Sequence, residues 1–171
     1  NKQEEKRILF SYKKTGKAVF VSHISVMTLF EMSLLRAGFY TKYSEGFNPK
    51  PKLEFASPLS LGLESQEEIA AVYLYNYLTE DDFLERLNST LPEGFQVTRA
   101  MVIEDSEKRR ISLMSIYWGS VWRFRDSGES RDLREKILIL PKELLVESSG
   151  PGERDDYIDL TLKNLGKKEF N

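Results

Sequence analysis

The chain has 171 residues, of which 40% are hydrophobic, and its formal net charge is −2. This length and hydrophobic content suit one domain of ordinary size or two small domains with packed cores. Because the chain has no Cys and one His, disulfides, thiolate metal sites and iron–sulfur clusters are excluded, and little is left for a zinc site.

The sequence also lacks the signals of a membrane or secreted protein. No apolar run approaches the roughly 18 to 20 residues of a membrane span, and residues 1–5 contain no hydrophobic signal region. We therefore expect a cytoplasmic protein with no membrane partner, no metal and no cofactor.

The charges are segregated along the chain. Residues 1–60 hold ten Lys or Arg against five Asp or Glu, residues 61–107 hold two against eleven, and residues 108–171 hold thirteen against eleven. A basic first third can face a phosphate backbone or an acidic partner, whereas a pI near 5.6 argues against a dedicated binder of double-stranded nucleic acid. The alternative is that the charges interleave in the folded protein.

The first predicted element is a half-buried strand. Ile8, Phe10 and Tyr12 alternate with other residues up to a lysine-rich turn at residues 13–17. The apolar run at residues 18–21 either pairs with this strand as a hairpin or leads into the next helix.

A helix is predicted over residues 23–37. Ser22 is a good N-cap and Gly38 a stop signal, and the broad apolar surface indicates that the helix is covered on more than one side. His23 falls in the first turn, where backbone N–H groups and the helix dipole favour an anionic neighbour. Its imidazole can serve packing or capping, ligand contact or catalysis.

Residues 43–62 form a stiff polar segment. They contain three of the six prolines and two of the ten glycines, which favours a rigid, exposed loop with sharp turns. Such a loop is either a connection between two strands or a binding surface for an anionic or polar ligand. The ligand-binding candidates on it are Ser44, Gly46, Phe47, Asn48, Lys50 and Lys52, with Ser22 and His23 at the helix start.

The next predicted strand covers residues 68–78 and alternates cleanly between two faces. Its second face carries Tyr73, Tyr75 and Tyr77. This face either packs against the second half of the chain or stacks unpaired bases. Packing is favoured because no RNA-recognition consensus accompanies the tyrosines and the neighbouring sequence is acidic.

A second helix and a further strand complete the first predicted unit. Residues 79–82 resemble a capping box, Pro92 and Gly94 stop the helix, and residues 95–103 follow as a strand. Residues 1–105 therefore have the βαββαβ order of a ferredoxin-like sandwich, an α+β fold.

A second, abbreviated βαββ unit is predicted over residues 106–171, after a charged linker at residues 104–110. Its strands are predicted from alternating apolar and polar residues or from turn residues at their ends. The elements are a strand around Ile116, Trp118, Trp122 and Phe124, a helix at residues 131–140, and strands at residues 144–146 and 157–162.

The common catalytic signatures are absent from the sequence. It contains no phosphate loop, no Gly-x-Ser-x-Gly, no His-Glu-x-x-His and no Gly-x-Gly-x-x-Gly. The single His nearly excludes a nucleophilic triad. We expect no catalytic activity of its own, and His23 is the candidate catalytic residue if there is one.

Several short motifs carry a resemblance to a known family. In chain order they are residues 20–24 (FVSHI), 36–38 (RAG), 43–51 (YSEGFNPKP) and 58–62 (PLSLG), with Ser65 and Glu68. They resemble the radical-SAM-linked family of domains of unknown function, whose members are encoded beside radical SAM proteins or fused to them. Two positions depart from the family pattern, since Ser25 replaces an acidic residue and Lys50 replaces a His.

The resemblance and the residues together favour an accessory or binding module. Its expected partners are a radical SAM protein and an RNA or another phosphate-bearing substrate, which the basic first third and the donor-rich loop would contact. The alternatives are an RNA-modifying or RNA-cleaving enzyme that uses His23, and a structural protein–protein interaction domain that docks through the tyrosine face.

Overall fold

The computed structural model describes residues 5–75, 79–103, 112–117, 119–125, 145–149 and 157–163. The chain forms two compact units, residues 1–114 and residues 115–171. No helix within the described ranges has the length and apolarity of a membrane crossing.

The first unit is an α+β structure with a four-stranded antiparallel sheet and two helices. The sheet has the strand order β2-β3-β1-β4. Its elements are β1 (Lys6–Lys14), a short 3-10 helix (Gly16–Phe20), α1 (His23–Arg36), β2 (Leu53–Phe55), β3 (Ser65–Leu74), α2 (Glu80–Asn88) and β4 (Phe95–Ile103). A four-residue helix, α3 (Leu113–Ile116), follows.

The core lies between one face of this sheet and the helices α1 and α2. β1 pairs Ile8 with Val72 and Phe10 with Ala70, so alternate residues of both strands face the same side. The ring of Phe10 lies 5.7 Å from that of Phe30 on α1 and 5.4 Å from that of Phe83 on α2. Burying each of these rings contributes roughly 1.5 to 3 kcal/mol.

The predicted starts of both helices are confirmed. Ser22 caps α1, where its hydroxyl accepts the backbone N–H of Ser25 at 3.2 Å, and Thr79 caps α2 by accepting the N–H of Asp82 at 3.1 Å. Both side chains satisfy a helix N–H that has no partner inside the helix. The run at residues 18–21 leads into α1 through the 3-10 helix and does not form a hairpin strand.

α1 was predicted to be covered on more than one side, but its outer side is exposed. Val26, Phe30 and Leu34 are buried. Ile24 and Met32, by contrast, are 77% and 45% exposed. The sheet covers one side of α1, and apolar residues on another side remain on the surface.

The tyrosine strand is shorter than predicted. β3 ends at Leu74, Tyr75 follows it, and Tyr77 lies outside the described residues. Tyr73 is only 1% exposed, and its hydroxyl donates to Glu54 at 3.0 Å. Tyr73 is therefore packed and does not form an open platform for bases.

The second unit contains a three-stranded antiparallel sheet of order β5-β7-β6. The strands are β5 (Gly119–Arg125), β6 (Leu145–Ser149) and β7 (Tyr157–Lys163). Ile116 was expected in the first of these strands but belongs to α3. The N–H of Leu113 at the start of this helix donates to Glu54 at 3.3 Å. Trp118 and the predicted helix at residues 131–140 lie outside the described residues.

Candidate functional site

Residues 43–51 fold into a small hairpin that is fixed by its own hydrogen bonds. Tyr43 and Pro51 form an isolated bridge. The N–H of Ser44 donates to the carbonyl of Lys50 at 2.8 Å, and the N–H of Lys50 donates to the Ser44 hydroxyl at 3.1 Å. Phe47, near the tip, is fully exposed. We refer to residues 43–51 as the Phe47 hairpin.

The backbone of the hairpin requires a glycine at one point. Gly46 has a φ of +138°, and a Cβ added there would meet no atom within 4 Å. An L-residue rarely adopts this backbone conformation. Gly46 therefore shapes the turn that presents Phe47, and Asn48 lies next to them on the exposed tip.

The two lysines predicted to bind the ligand lie in different surroundings. The Nζ of Lys50 is 3.7 Å from the carboxylate of Glu31 on α1, and its side chain remains 64% exposed. The Nζ of Lys52 lies 4.6 Å from the ring centroid of Tyr73. Tyr73 is on the sheet face opposite to the helices, because its neighbours in β3 face the core. Lys52 is thus directed away from α1, whereas Lys50 is directed toward it.

The start of α1 carries Ser22 and His23. The Ser22 hydroxyl is used by the first turn, where it also lies 2.9 Å from the Ser25 hydroxyl. The His23 ring is half-buried and meets the Phe55 ring edge-on at 5.3 Å and 83°. His23 and Glu31 are eight residues apart on α1, which corresponds to about 12 Å along the helix axis. The point where the Phe47 hairpin contacts α1 therefore lies about two turns from the start of the helix.

Three residues that the sequence did not single out as a site lie beneath the start of α1. Lys14, the last residue of β1, is 1% exposed, and its Nζ has no hydrogen-bond partner among the described residues. Tyr12 and Glu68 face each other across the pairing of β1 with β3. We refer to Tyr12, Lys14, His23 and Glu68 as the Lys14 cluster.

The ionisable groups of the Lys14 cluster influence one another. Burial lowers the pKa of the Lys14 amine, against the attraction of the Glu68 carboxylate. Burial lowers the pKa of His23 as well, and the charge of Lys14 lowers it further. Burial raises the pKa of Glu68, against a hydrogen bond from Ser65 and the charge of Lys14. Burial and the charge of Glu68 both raise the pKa of Tyr12.

These directions define the chemistry of the cluster at neutral pH. A His whose pKa is lowered from 6.5 is a neutral imidazole at pH 7, so it can accept a proton or donate one hydrogen bond. Tyr12 stays a neutral phenol. A buried ammonium without a hydrogen bond is costly, so the cluster favours either loss of the Lys14 proton or the arrival of an anion.

The sequence contained a signal for Lys14 that lay beyond the end of the predicted strand. The alternation of Ile8, Phe10 and Tyr12 extends by one step to Lys14, which lies on the same buried face. The lysine-rich composition of residues 13–17 instead indicated a solvated turn. The two-residue period was the stronger signal at this position.

The described ranges contain no group of three or more His, Asp or Glu side chains that could hold a metal ion. The Lys14 cluster has one acidic and one imidazole group, so its chemistry is that of an amine, a phenol and a neutral imidazole. It suits hydrogen bonding and proton transfer.

Comparison with known proteins places the chain in a family of bacterial proteins. The chain belongs to the family of uncharacterized proteins conserved in bacteria that is designated DUF2344, whose model matches residues 7–163. None of the curated proteins compared with the chain matches it.

Proposed function

We propose that the chain is an accessory module that binds an RNA or another phosphate-bearing substrate and works with a radical SAM protein. The partner follows from the resemblance of residues 20–24 and 43–51 to the radical-SAM-linked family. The ligand follows from the exposed ring and the polar groups of the Phe47 hairpin.

The observation that carries the proposal is the full exposure of Phe47 on a fixed hairpin. A single exposed ring is ordinary on a protein surface, but Phe47 is held at the tip of a hairpin that its own hydrogen bonds fix. Unpaired bases stack on such rings regardless of sequence, and each stacked base contributes about 1 to 3 kcal/mol. Because the hairpin is already ordered, little conformational entropy is lost when a base arrives.

Polar groups beside Phe47 suit the phosphates of the same strand. Lys50 is largely exposed and supplies a point charge. Its ion pair with Glu31 is long, at 3.7 Å, and the lysine side of the pair is exposed, so a phosphate can compete for the ammonium. Ser44 and Asn48 lie on the same hairpin and add hydrogen-bond donors.

We further infer that the first unit is a ferredoxin-like βαββαβ sandwich and that the second unit is an abbreviated βαββ unit. The order β2-β3-β1-β4 and the packing of α1 and α2 on one face support the first assignment. The order β5-β7-β6 matches three strands of that arrangement and supports the second.

The test is RNA binding by the full chain, measured by fluorescence anisotropy with a labelled single-stranded oligouridine at low salt. Phe47→Ala should weaken binding about 5- to 150-fold, the equivalent of one stacked base. Met101→Ala is the matched control, because Met101 on β4 is also exposed, at 52%. Equal affinities for Phe47→Ala and the wild type would exclude the stacking role.

The phosphate contacts are tested by salt dependence. Binding should weaken steeply as salt rises, and Lys50→Gln should reduce the slope of log affinity against log salt by about 1. Lys17→Gln, which removes an exposed lysine of the 3-10 helix, should leave the slope unchanged. Binding that does not depend on salt, or no binding at low salt, contradicts the proposal.

The partner is tested by co-purification of the chain with a radical SAM protein encoded beside it. Both the protein and the nucleic acid that accompany the chain should be recorded. Recovery of RNA without the radical SAM protein would support the ligand and contradict the partner.

A second candidate function is an RNA-modifying or RNA-cleaving enzyme that uses His23. The observation that favours it is the lowered pKa of His23, because a neutral imidazole can act as a general base at pH 7. Once turnover by the wild type is measured, His23→Ala should abolish it and leave RNA affinity unchanged. Turnover that persists in His23→Ala excludes this function.

A further inference from the structure

We propose that the start of α1 and Lys14 beneath it form a binding site for a phosphate monoester. If the monoester is the terminal phosphate of an RNA strand, the inference rests on the proposed function. If the monoester is a small phosphorylated molecule, the inference is independent of that function.

The amine of Lys14 lacks the partner that its position requires. The side chain is 1% exposed, and the Nζ has no hydrogen-bond partner in the described part of the chain. Glu68 is close enough to attract the ammonium but does not bond to it. Buried charges in folded proteins are normally paired. An incoming oxyanion would supply the missing acceptors.

The start of α1 packs on the same face of the sheet as this amine. Tyr12, two residues before Lys14 on the same face of β1, packs against Phe30 of α1 with ring centroids 4.7 Å apart. Phe55 contacts both Tyr12 and His23, at 6.1 Å and 5.3 Å. α1 therefore covers this face of β1 from the middle of the helix to its first turn. The charge of Lys14 acts on His23 in that first turn.

The helix start provides further donors for an oxyanion. α1 has 14 residues, and the first N–H groups of an α-helix have no partner inside the helix. The Ser22 hydroxyl accepts the N–H of Ser25, and the positive end of the helix dipole favours an anion beside the remaining N–H groups. His23 can donate one ring N–H from the side.

Glu68 is the acidic group of the cluster and opposes an anion when it is ionised. It is half-buried and accepts a hydrogen bond from Ser65. Burial raises its pKa, so a dianion bound nearby would favour its protonated form, which can donate a hydrogen bond. Tyr12 remains protonated and can donate as well.

The depth of Lys14 selects a terminal phosphate over an internal one. An internal phosphodiester carries nucleotides on both sides, and the buried position of the amine leaves little room for both. A phosphate monoester carries one substituent, so the side chains around the Lys14 amine have to move less to admit it. The Phe47 hairpin meets α1 at Glu31, about 12 Å farther along the helix, so a strand whose end is held at Lys14 can continue toward Phe47.

The first experiment uses His23 as its probe, because the chain has one His and its imidazole protons give isolated NMR signals. Inorganic phosphate added to the full chain should shift these signals in a saturable way. Lys14→Met should abolish the shift, and Lys14→Gln provides a second variant if Lys14→Met does not fold. Lys17→Met, at an exposed lysine three residues away, should leave it unchanged.

The second experiment distinguishes the two sources of the phosphate. A single-stranded RNA with a 5′-phosphate should bind the full chain about tenfold more tightly than the same RNA with a 5′-hydroxyl, the effect of charge-assisted hydrogen bonds, and Lys14→Met should remove this difference. A Lys14-dependent phosphate shift without any RNA binding assigns the site to a small phosphate monoester and overturns the proposed function.

The inference is overturned if phosphate does not shift the His23 signals in the wild type, or shifts them equally in Lys14→Met. If the two RNAs then also bind with equal affinity, there is no phosphate site at Lys14, and the RNA-binding function of the Phe47 hairpin is unaffected.

Discussion

Gly94 sits where the chain turns into β4 and comes close to the end of β1. Its φ is +90°, and a Cβ there would lie 2.6 Å from the carbonyl oxygen of Thr15 and 2.7 Å from the Cβ of Ala18. The carbonyl of Gly94 also accepts the N–H of Thr15 at 2.8 Å. Both the backbone conformation and the space therefore require glycine at this position.

We expect Gly94→Ala to lower the free energy of unfolding by about 3 kcal/mol, from left-handed strain and overpacking together. Gly62→Ala is the matched control, because Gly62 has a φ of +84° but no atom within 4 Å of its added Cβ; it should lose only about 1 to 2 kcal/mol. Urea unfolding measures both. Equal losses would show that the close contacts of the added Cβ at position 94 do not affect the free energy of unfolding.

His23 should make stability depend on pH. Its pKa is lowered from 6.5 in the folded chain, so below pH 6.5 the unfolded chain binds more protons than the folded chain does. Stability contributed by His23 is therefore lost as the pH falls below about 6.5 and is constant above it. The difference in unfolding free energy between the wild type and His23→Gln should grow from about pH 5 to about pH 7.

The mutant pair isolates His23 from the other titrating groups of the Lys14 cluster. Glu68, whose pKa is raised, acts in the opposite direction at lower pH and is common to both proteins. Lys14→Met should raise the pKa of His23 and reduce the effect, because it removes a positive charge. A pH-independent difference between the wild type and His23→Gln contradicts this account.

At the scale of elements, Arg86 joins α2 to the end of α1. Its guanidinium donates twice to the carbonyl of Ala37, at 2.6 and 3.1 Å, and once to that of Gly38 at 2.9 Å. It also lies 4.4 Å from the ring centroid of Phe39. One side chain thus satisfies carbonyls at a helix C-terminus, where the dipole favours a cation.

Arg86→Ala should lower the free energy of unfolding by about 2 to 3 kcal/mol, because carbonyls lose charged donors and Phe39 loses its stacked cation. Arg86→Lys should lose a smaller part, since an ammonium cannot reproduce the planar fork. Thermal and urea unfolding should rank the three proteins in this order. A fully stable Arg86→Lys would indicate that charge alone is sufficient.

The helices were predictable because their boundaries are encoded locally. Ser22 and Thr79 are caps whose side chains act within three residues, so the sequence alone locates both starts. β2 was expected from the βαββαβ order, but its residues were not located, because it has three residues and is defined by its pairing with β3 rather than by a period of its own. The site had the same limit, since Lys14 and Glu68 come together through the pairing of β1 with β3, and His23 joins them through the packing of α1 on the sheet.

At the scale of the whole molecule, several basic residues of the first third pair with acidic residues of the same stretch. Arg7 pairs with Glu54 at 3.0 Å, and Lys42 pairs with Glu5 at 2.6 Å. Lys50 pairs with Glu31, so each acid comes from the same basic stretch. Counts along the chain could not reveal this, because the hairpin and β2 bring together residues up to 47 positions apart.

The first unit has its own core and should fold as a fragment of residues 1–114. Leu113 is 3% exposed, and its N–H donates to Glu54 at 3.3 Å, so a fragment of residues 1–105 should be less stable by about 2 kcal/mol. Urea unfolding of both fragments checks this. In the full chain, Leu113→Ala should destabilise more than Met114→Ala, because Met114 is 53% exposed.

The position of β1 at the centre of the sheet affects how the protein can be made. β1 is synthesised first, but its neighbours β3 and β4 begin only at Ser65 and Phe95. During translation both edges of β1 stay unpaired until these residues have left the ribosome, and the long intervening loops must be closed against their entropy. The nascent chain therefore carries an apolar strand open to association with other chains until β3 and β4 have emerged. The strand made first is the last to gain both of its neighbours.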